Sequence, residues 1–261
     1  MALVKVEVAE RIAVVTLDRP EAMNAMNRAM RRELAAAMQE MDSRTDVAVV
    51  ILTGAGERAF TAGLDLKELA AEPDAMADTT GQDPDSNPVK AVEQCGKPVI
   101  GAINGVAITG GFELALACDL MIAAETARFA DTHARVGIMP GWGLSQKLSR
   151  IIGPGRAKQL SFTGNFLDAR TAEQWGLVNR VVPLWDLLTK ARELAADMAT
   201  IEPAFLRQYK ALIDDGFART LGEGLALEAE RSSAANRAVT PDAVAARREA
   251  VQQRGRSQTG A

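Results

Sequence analysis

The chain opens on two short apolar patterns. "LVKVEV" (3–8) alternates apolar and polar side chains with the period of two that marks a half-buried strand, and "RIAVVTLD" (11–18) is a β-branched run. Joined through "AE", the two predict a hairpin. From Met26 the period changes: Met26, Met30, Leu34, Met38 and Met41 recur at spacings of four and three, on one face of a helix, a stripe that reads as core. "VAVVILTG" (47–54), "KPVIGAINGVAI" (97–108) and "DLMIAA" (119–124) are continuous apolar runs bounded by Gly, Pro or charge, the pattern of strands buried on both faces. Helical patterns alternate with them.

From about Asp186 the strand pattern stops. "LLTKARELAADMA", "AFLRQYKALIDDGF" and "LGEGLALEAERSSAANRA" are helical, with Pro183, Pro203 and Gly222 marking breaks or boundaries. The pattern predicts an α/β core over residues 1–185 and a helical C-terminal region over 186–261, packed on the core or on a neighbouring subunit. Between Glu72 and Pro88, "EPDAMADTTGQDPDSNP" has three prolines, five acidic residues and almost no apolar anchors, which predicts a mobile surface loop.

Composition narrows the class. With 48% hydrophobic and 25% charged residues the chain has the mix of a globular protein, and with only 4% aromatics its core must come from Ala, Val, Leu, Ile and Met. The net charge of -4, without a basic block, gives no nucleic-acid footprint, so an anionic ligand must be met locally. Cys95 and Cys118 lie in different segments without metal-ligand spacing and read as small buried hydrophobes. The N-terminal stretch carries Lys5, Glu7, Glu10 and Arg11 and lacks the apolar core of a signal peptide or membrane span, which points to the cytoplasm.

Three stretches are candidates for chemistry. "LTGAGERA" places Gly54, Gly56 and Ala59 in a loose dinucleotide-binding pattern, but "FTAGLDLKEL" follows where a long helix should run, so a glycine-rich turn is the expectation and a nicotinamide enzyme a distant one. In "GVAITGGFELALACD", Gly110 and Gly111 precede an apolar helical run whose one charged side chain is Glu113. A Glu there either stabilises the helix N-terminus or, in apolar surroundings, acquires a raised pKa suited to proton transfer. The unsubstituted backbone before it offers free N–H groups to an oxyanion. The third stretch, "RFADTHARVG", holds His133, the only histidine of the 261 residues. Asp131 is placed either to orient its ring or to cap its own loop.

"RPEAMNAMN", "AFTAGLDLKEL", "KPVIGAINGVAITGGFELALACDLMIAA", "FADTHARVGIMPGWG" and "FTGNFLDARTAEQWGLVNRVV" stand in an order and spacing that resemble the crotonase, or enoyl-CoA hydratase/isomerase, superfamily over nearly the whole chain. The resemblance implies an α/β spiral of repeated ββα units with a helical C-terminal part, and trimers paired into hexamers. It implies that the backbone N–H groups of Leu64 and Gly110 hold a thioester carbonyl. It places the hydratase's two catalytic glutamates on Glu113 and His133, so imidazole replaces the second carboxylate. Thr109 replaces the first glycine of a triplet. The segments around Ala22 to Ala25 and around Ala62, Asp65, Leu66 and Lys67 fall near the CoA, with Arg19 and Lys67 as phosphate neighbours. Trp142 stands where many relatives have a smaller residue, either narrowing the acyl pocket or packing as core.

The activity implied is addition of water to a 2-enoyl-CoA thioester in fatty acid metabolism, with no metal or redox cofactor, since CoA belongs to the substrate. The alternatives are another acyl-CoA enzyme of the same fold, such as an enoyl-CoA isomerase, and a non-catalytic acyl-CoA binding protein.

Overall fold

A computed structural model of the chain describes residues 2–71 and 87–259. β1 (Val4–Ala9) and β2 (Ile12–Leu17) form the expected antiparallel hairpin, with Val4 opposite Leu17 and Ala9 opposite Ile12. Its turn is Glu10–Arg11, one residue later than the predicted connection, with left-handed φ values of 52° and 65° that suit a two-residue hairpin turn. Helix α1 (Arg28–Ser43) is capped by the Asn27 side chain, which accepts from the Met30 N–H at 2.9 Å. All five residues of the predicted stripe, from Met26 to Met41, are buried. The same helix also buries Arg31, whose guanidinium lies 3.5 Å from Glu68.

Three ββα units follow. They are β3 (Val49–Gly54), β4 (Ala59–Thr61) and α2 (Leu66–Ala71), then, after α3 (Pro88–Glu93), β5 (Val99–Ile103), β6 (Val106–Ile108) and α4 (Gly110–Ala115), and finally β7 (Leu120–Ala124), β8 (Arg128–Ala130) and α5 (His133–Val136). The first strand of each unit enters a six-stranded sheet of order β1-β2-β3-β5-β7-β10, and the second enters a smaller sheet of order β4-β6-β8-β9. The chain reaches those last strands through α6 (Leu144–Ile152), α7 (Pro154–Thr163), β9 (Leu167–Asp168), α8 (Ala169–Gln174) and β10 (Arg180–Val182). Apart from the β1/β2 and β8/β9 pairs, the described strands run parallel, which is why their sequences are continuously apolar.

One expectation changes at the join between the sheets. "KPVIGAINGVAI" is two strands rather than one, broken at Asn104–Gly105. The Asn104 amide brackets the turn, accepting from Gly54 N–H and donating to Gly56 and Ala59 carbonyls. At Gly105 the backbone crosses Arg58 so closely that an added methyl would lie 2.4 Å from the Arg58 carbonyl oxygen. The Gly54–Ala59 pattern leads from β3 into β4, without the helix that a dinucleotide site requires. The proposed mobile loop from Glu72 lies outside the described residues up to 86; its last two residues, Asn87 and Pro88, cap and open α3.

The fold divides into two units, Met1–Arg207 and Gln208–Ala261. In the first, α9 (Leu187–Ala199) lies across β2, β3, β5 and β7. Its buried residues Leu187, Ala191, Ala195 and Ala199 recur every fourth position and put one face, three of its four residues alanine, on the sheet. α10 (Pro203–Phe217) leads into the second unit, which continues with α11 (Leu221–Asn236) and α12 (Pro241–Thr259). A reciprocal Thr220–Glu223 capping box starts α11, and Arg231 ties it to Asp215 at 2.5 Å.

Candidate active site

Because β4, β6 and β8 are adjacent parallel strands, the turns at their C-terminal ends meet. Ile108 is registered with Ala130, and Thr61 with Ala107, so the segments after each strand open on one place: Leu64 after β4, Gly110 after β6, His133 after β8. They face a cavity of about 280 Å³ whose walls include Ala62, Leu64, Leu66, Gly110, Glu113, His133 and Trp142. Ligands bind at such strand ends because the backbone polar groups there are not consumed by the ladder.

Two N–H groups illustrate this. Leu64 forms a parallel bridge with Met26, but the bridge uses the Gly63 carbonyl and the Asp65 N–H, which leaves the Leu64 N–H outside the ladder. Gly110 opens α4, so its N–H has no intrahelical acceptor. The two lie side by side: a methyl added to Gly110 would sit 3.6 Å from the Leu64 nitrogen, and one added to Gly63 3.0 Å from the Gly110 nitrogen. Gly63 has φ +89°, a conformation that favours glycine. Gly111 is equally constrained, since a methyl there would lie 2.1 Å from the Thr61 carbonyl oxygen. Only bare backbone brings the two turns this close, and the result is a pair of donors suited to a developing oxyanion.

Thr109, preceding Gly110, has φ 54° and ψ −111°. A β-branched residue there is strained by about 1–3 kcal/mol. Its N–H donates to the Ala130 carbonyl at 2.9 Å, and its hydroxyl lies 2.5 Å from that of Thr132.

Glu113 projects from the first turn of α4 and is buried. Its Oε1 accepts from the N–H groups of Trp142 at 2.8 Å and Leu144 at 3.3 Å, which fixes the carboxyl and leaves Oε2 toward His133. Burial pushes the Glu113 carboxyl above its ordinary value of 4.5, although His133 and the two N–H groups pull the other way. The Nε2 of His133 stands 3.6 Å from Oε2, and its Nδ1 stands 2.7 Å from Asp131 Oδ1. Asp131 also accepts from the His133 N–H at 3.1 Å, so one carboxylate holds both the ring and the start of α5. Burial raises the Asp131 pKa, but hydrogen bonds from the His133 ring, Ser161 and the His133 N–H outweigh it and hold the group below 3.8. An ionised Asp131 accepts the Nδ1 proton and leaves Nε2 facing Glu113.

The remaining predicted residues divide. Ala62, Leu66 and Trp142 line the cavity, and Ala22, Ala25, Asp65 and Lys67 are not among its lining residues. Asp65 binds Arg19 at 2.6 Å and accepts the Lys67 N–H at 3.0 Å, so it ties the "RPEAMNAMN" loop to the start of α2. Arg19 also donates to the Ala25 carbonyl. Trp142 both packs and lines: it is buried, and its ring would touch a methyl on Gly110 at 3.1 Å. Asn24 carries no chemical motif, yet its buried amide binds Arg19 N–H and the Ala55 and Ala59 carbonyls, fixing the loop beside β4. In the sequence its signal is an Asn in a Pro-containing loop, the residue type that tolerates the left-handed conformation, φ 52°, found here.

Comparison with known proteins identifies the family. The profile of the enoyl-CoA hydratase/isomerase family matches residues 7–240. The chain is 49% identical over 223 residues to probable enoyl-CoA hydratase 1, peroxisomal, of Arabidopsis thaliana, covering 85% of this chain and 82% of that one. It is 38% identical over 220 residues to the short-chain-enoyl-CoA hydratase of Clostridium acetobutylicum, covering 84% of each. The crystal structure of enoyl-CoA hydratase from Bacillus anthracis superposes with a TM-score of 0.81 at 39% identity, over 87% of this chain and 88% of that one. On the fold and these matches, the chain belongs to the enoyl-CoA hydratase/isomerase family and has its crotonase fold.

Proposed function

We propose that this enzyme adds water across the double bond of a 2-enoyl-CoA thioester. The observation that carries the reading is the Glu113 Oε2 and His133 Nε2 pair, 3.6 Å apart on the wall of a cavity that also holds Gly110 and Leu64. The Leu64 and Gly110 N–H groups receive the thioester oxygen, where negative charge grows as water attacks the β-carbon. The attacking water would bind beside this pair, within hydrogen-bond reach of both Oε2 and Nε2. Glu113, whose pKa burial raises, takes the water proton as the C–O bond forms. His133, entering the reaction with both ring nitrogens protonated, delivers its Nε2 proton to the α-carbon as the enolate collapses. The proton on Glu113 then returns to Nε2 through a bridging water, so the pair ends as it began and one water is consumed in the product. Asp131 holds the ring throughout.

Addition of water is redox-neutral, and these groups carry both proton transfers, so the reaction as proposed requires no cofactor beyond the CoA of the substrate. Ala22, Ala25, Asp65, Lys67 and Arg19 serve the CoA arm in this reading, Asp65 and Arg19 by shaping the loop next to the cavity. The exposed Phe205, Tyr209, Ile213 and Phe217, four residues apart on α10, support self-association, for which a trimer or a dimer of trimers is the proposed state. No helix among the described residues is long and apolar enough to cross a membrane. The proposed location is the cytoplasm, although the Arabidopsis relative is named peroxisomal.

The test is turnover of short, medium and long 2-enoyl-CoA thioesters, with loss of the conjugated absorbance and products identified by mass. Conversion to 3-hydroxyacyl-CoA is expected. Binding with a shifted double bond and no added water would replace hydration by isomerisation, and binding with no product would leave a carrier. A His133→Gln variant with wild-type rates at every pH would remove the histidine from the mechanism.

A further inference from the structure

Thr109 and Thr132 flank the two halves of the site. Thr109 precedes Gly110, whose N–H is one of the proposed oxyanion donors, and Thr132 precedes His133. Their hydroxyls are 2.5 Å apart, and the Thr132 N–H also donates to the Thr109 hydroxyl at 3.3 Å. Thr132 occupies the N-cap of α5, yet its side chain makes no cap hydrogen bond there. It is directed at Thr109 instead. Thr109 in turn holds a backbone conformation, φ 54°, that a threonine adopts only under constraint. Both residues line the cavity.

We propose that the Thr109–Thr132 hydroxyl pair positions the oxyanion-binding turn and the His133 ring relative to one another. The pair is a cross-link between β6 and β8 just past their last ladder position, Ile108 with Ala130: Thr109 lies one residue beyond it and Thr132 two. Beyond that point the two chains diverge, one into α4 and one into α5. Besides the hydroxyl bridge, the two strand ends are joined by the Thr109 N–H to Ala130 carbonyl bond and the longer Thr132 N–H to Thr109 hydroxyl contact, with the Glu113–His133 pair at 3.6 Å farther on. Thr109 and Thr132 are thus positioning residues, acting through Gly110 and His133. The rate consequence rests on the hydratase reading; the structural one does not.

The experiment is a double-mutant cycle with Thr109→Val, Thr132→Val and the pair, each checked for folding by its melting transition, with Thr132→Ser as the conservative variant. Each Val variant is expected to lower kcat about tenfold or more with KM little changed, as a shift in the reacting geometry does. The double variant should be no slower than the worse single one, and Thr132→Ser should restore most of the rate. His133 is the only histidine, so its ring resonances are assigned without ambiguity. They should form one sharp set in the wild type and broaden or double in Thr132→Val. Additive rate losses, or unchanged rates in an active enzyme, would overturn the inference and leave hydration standing. A wild type that hydrates nothing would sink hydration alone; the resonances would then decide the positioning role, unchanged spectra in Thr132→Val overturning it.

Discussion

Asp131 Oδ1 accepts from both the backbone N–H and the ring Nδ1 of His133, at 3.1 and 2.7 Å. One carboxylate therefore fixes the position of the residue and the rotation of its ring, and presents Nε2 to Glu113. Asp131→Asn keeps the shape but replaces an anionic acceptor with an amide that can present its N–H₂ group to the ring. By analogy with other carboxylate–imidazole pairs, kcat for hydration should fall by about two orders of magnitude or more. Steady-state kinetics would check this, and KM should change far less.

Glu113→Gln removes the proton acceptor while keeping the volume and an oxygen for the Trp142 and Leu144 N–H groups. The expected loss is about a hundredfold or more in kcat, with thioester affinity within about threefold, since the amides that hold the carbonyl are untouched. Binding measured by calorimetry next to turnover separates the two effects. Equal losses in affinity and rate would make Glu113 a binding group.

Stability should respond to pH in two opposite ways. Asp42, Asp65 and Asp131 are held below 3.8: burial raises each, but hydrogen bonds, from Arg207, from Arg19 and from His133 in turn, win. Their contribution is complete above 3.8 and is lost as pH falls through their lowered values. Glu113 lies above 4.5, mainly through burial, so its contribution is whole below 4.5 and is lost as pH rises through the raised value. Melting temperatures should drop steeply below about pH 4, and Asp131→Asn should flatten part of that drop. Glu113→Gln should remove the loss on the rising side. A Glu113→Gln variant with the wild-type pH dependence would contradict the burial argument.

Gly111→Ala places its methyl 2.1 Å from a backbone oxygen that cannot swing aside. It should cost about 1–3 kcal/mol or more of stability and separate the two turns that carry Leu64 and Gly110. Denaturant unfolding measures the first effect. By contrast, Gly155→Ala, where nothing lies within 4 Å and the residue is helical, should be neutral or slightly stabilising.

Trp142→Ala removes a buried ring beside Gly110 but keeps the N–H that holds Glu113. The cavity should enlarge, and the preference among acyl groups should move toward longer or branched chains, read as kcat/KM ratios across a thioester panel. An unchanged ratio would make Trp142 a packing residue only.

Much of this protein was legible in the order of its residues. Period-two and period-3.6 patterns locate β1, β2 and α1, and the parallel strands announce themselves as unbroken apolar runs because burial on both faces tolerates no alternation. The linked motifs carry the family, and with it Glu113 and His133 as residues of interest. The sequence determined these because each rests on neighbours in the chain. Tertiary structure alone decided the rest. The break at Asn104–Gly105 depends on an amide reaching strand β3, fifty residues away in the chain, and no local pattern encodes that reach. Asn24, Arg31 and the Thr109–Thr132 pair likewise act through partners on other elements. Whether Asp131 caps its own loop or orients His133 was open from sequence, and the fold resolves it as both. A hydrogen bond needs two atoms within about 3 Å, and only the packing of strands and helices distant in the chain, among them β6 beside β8 for the Thr109–Thr132 pair, brings such partners within that range.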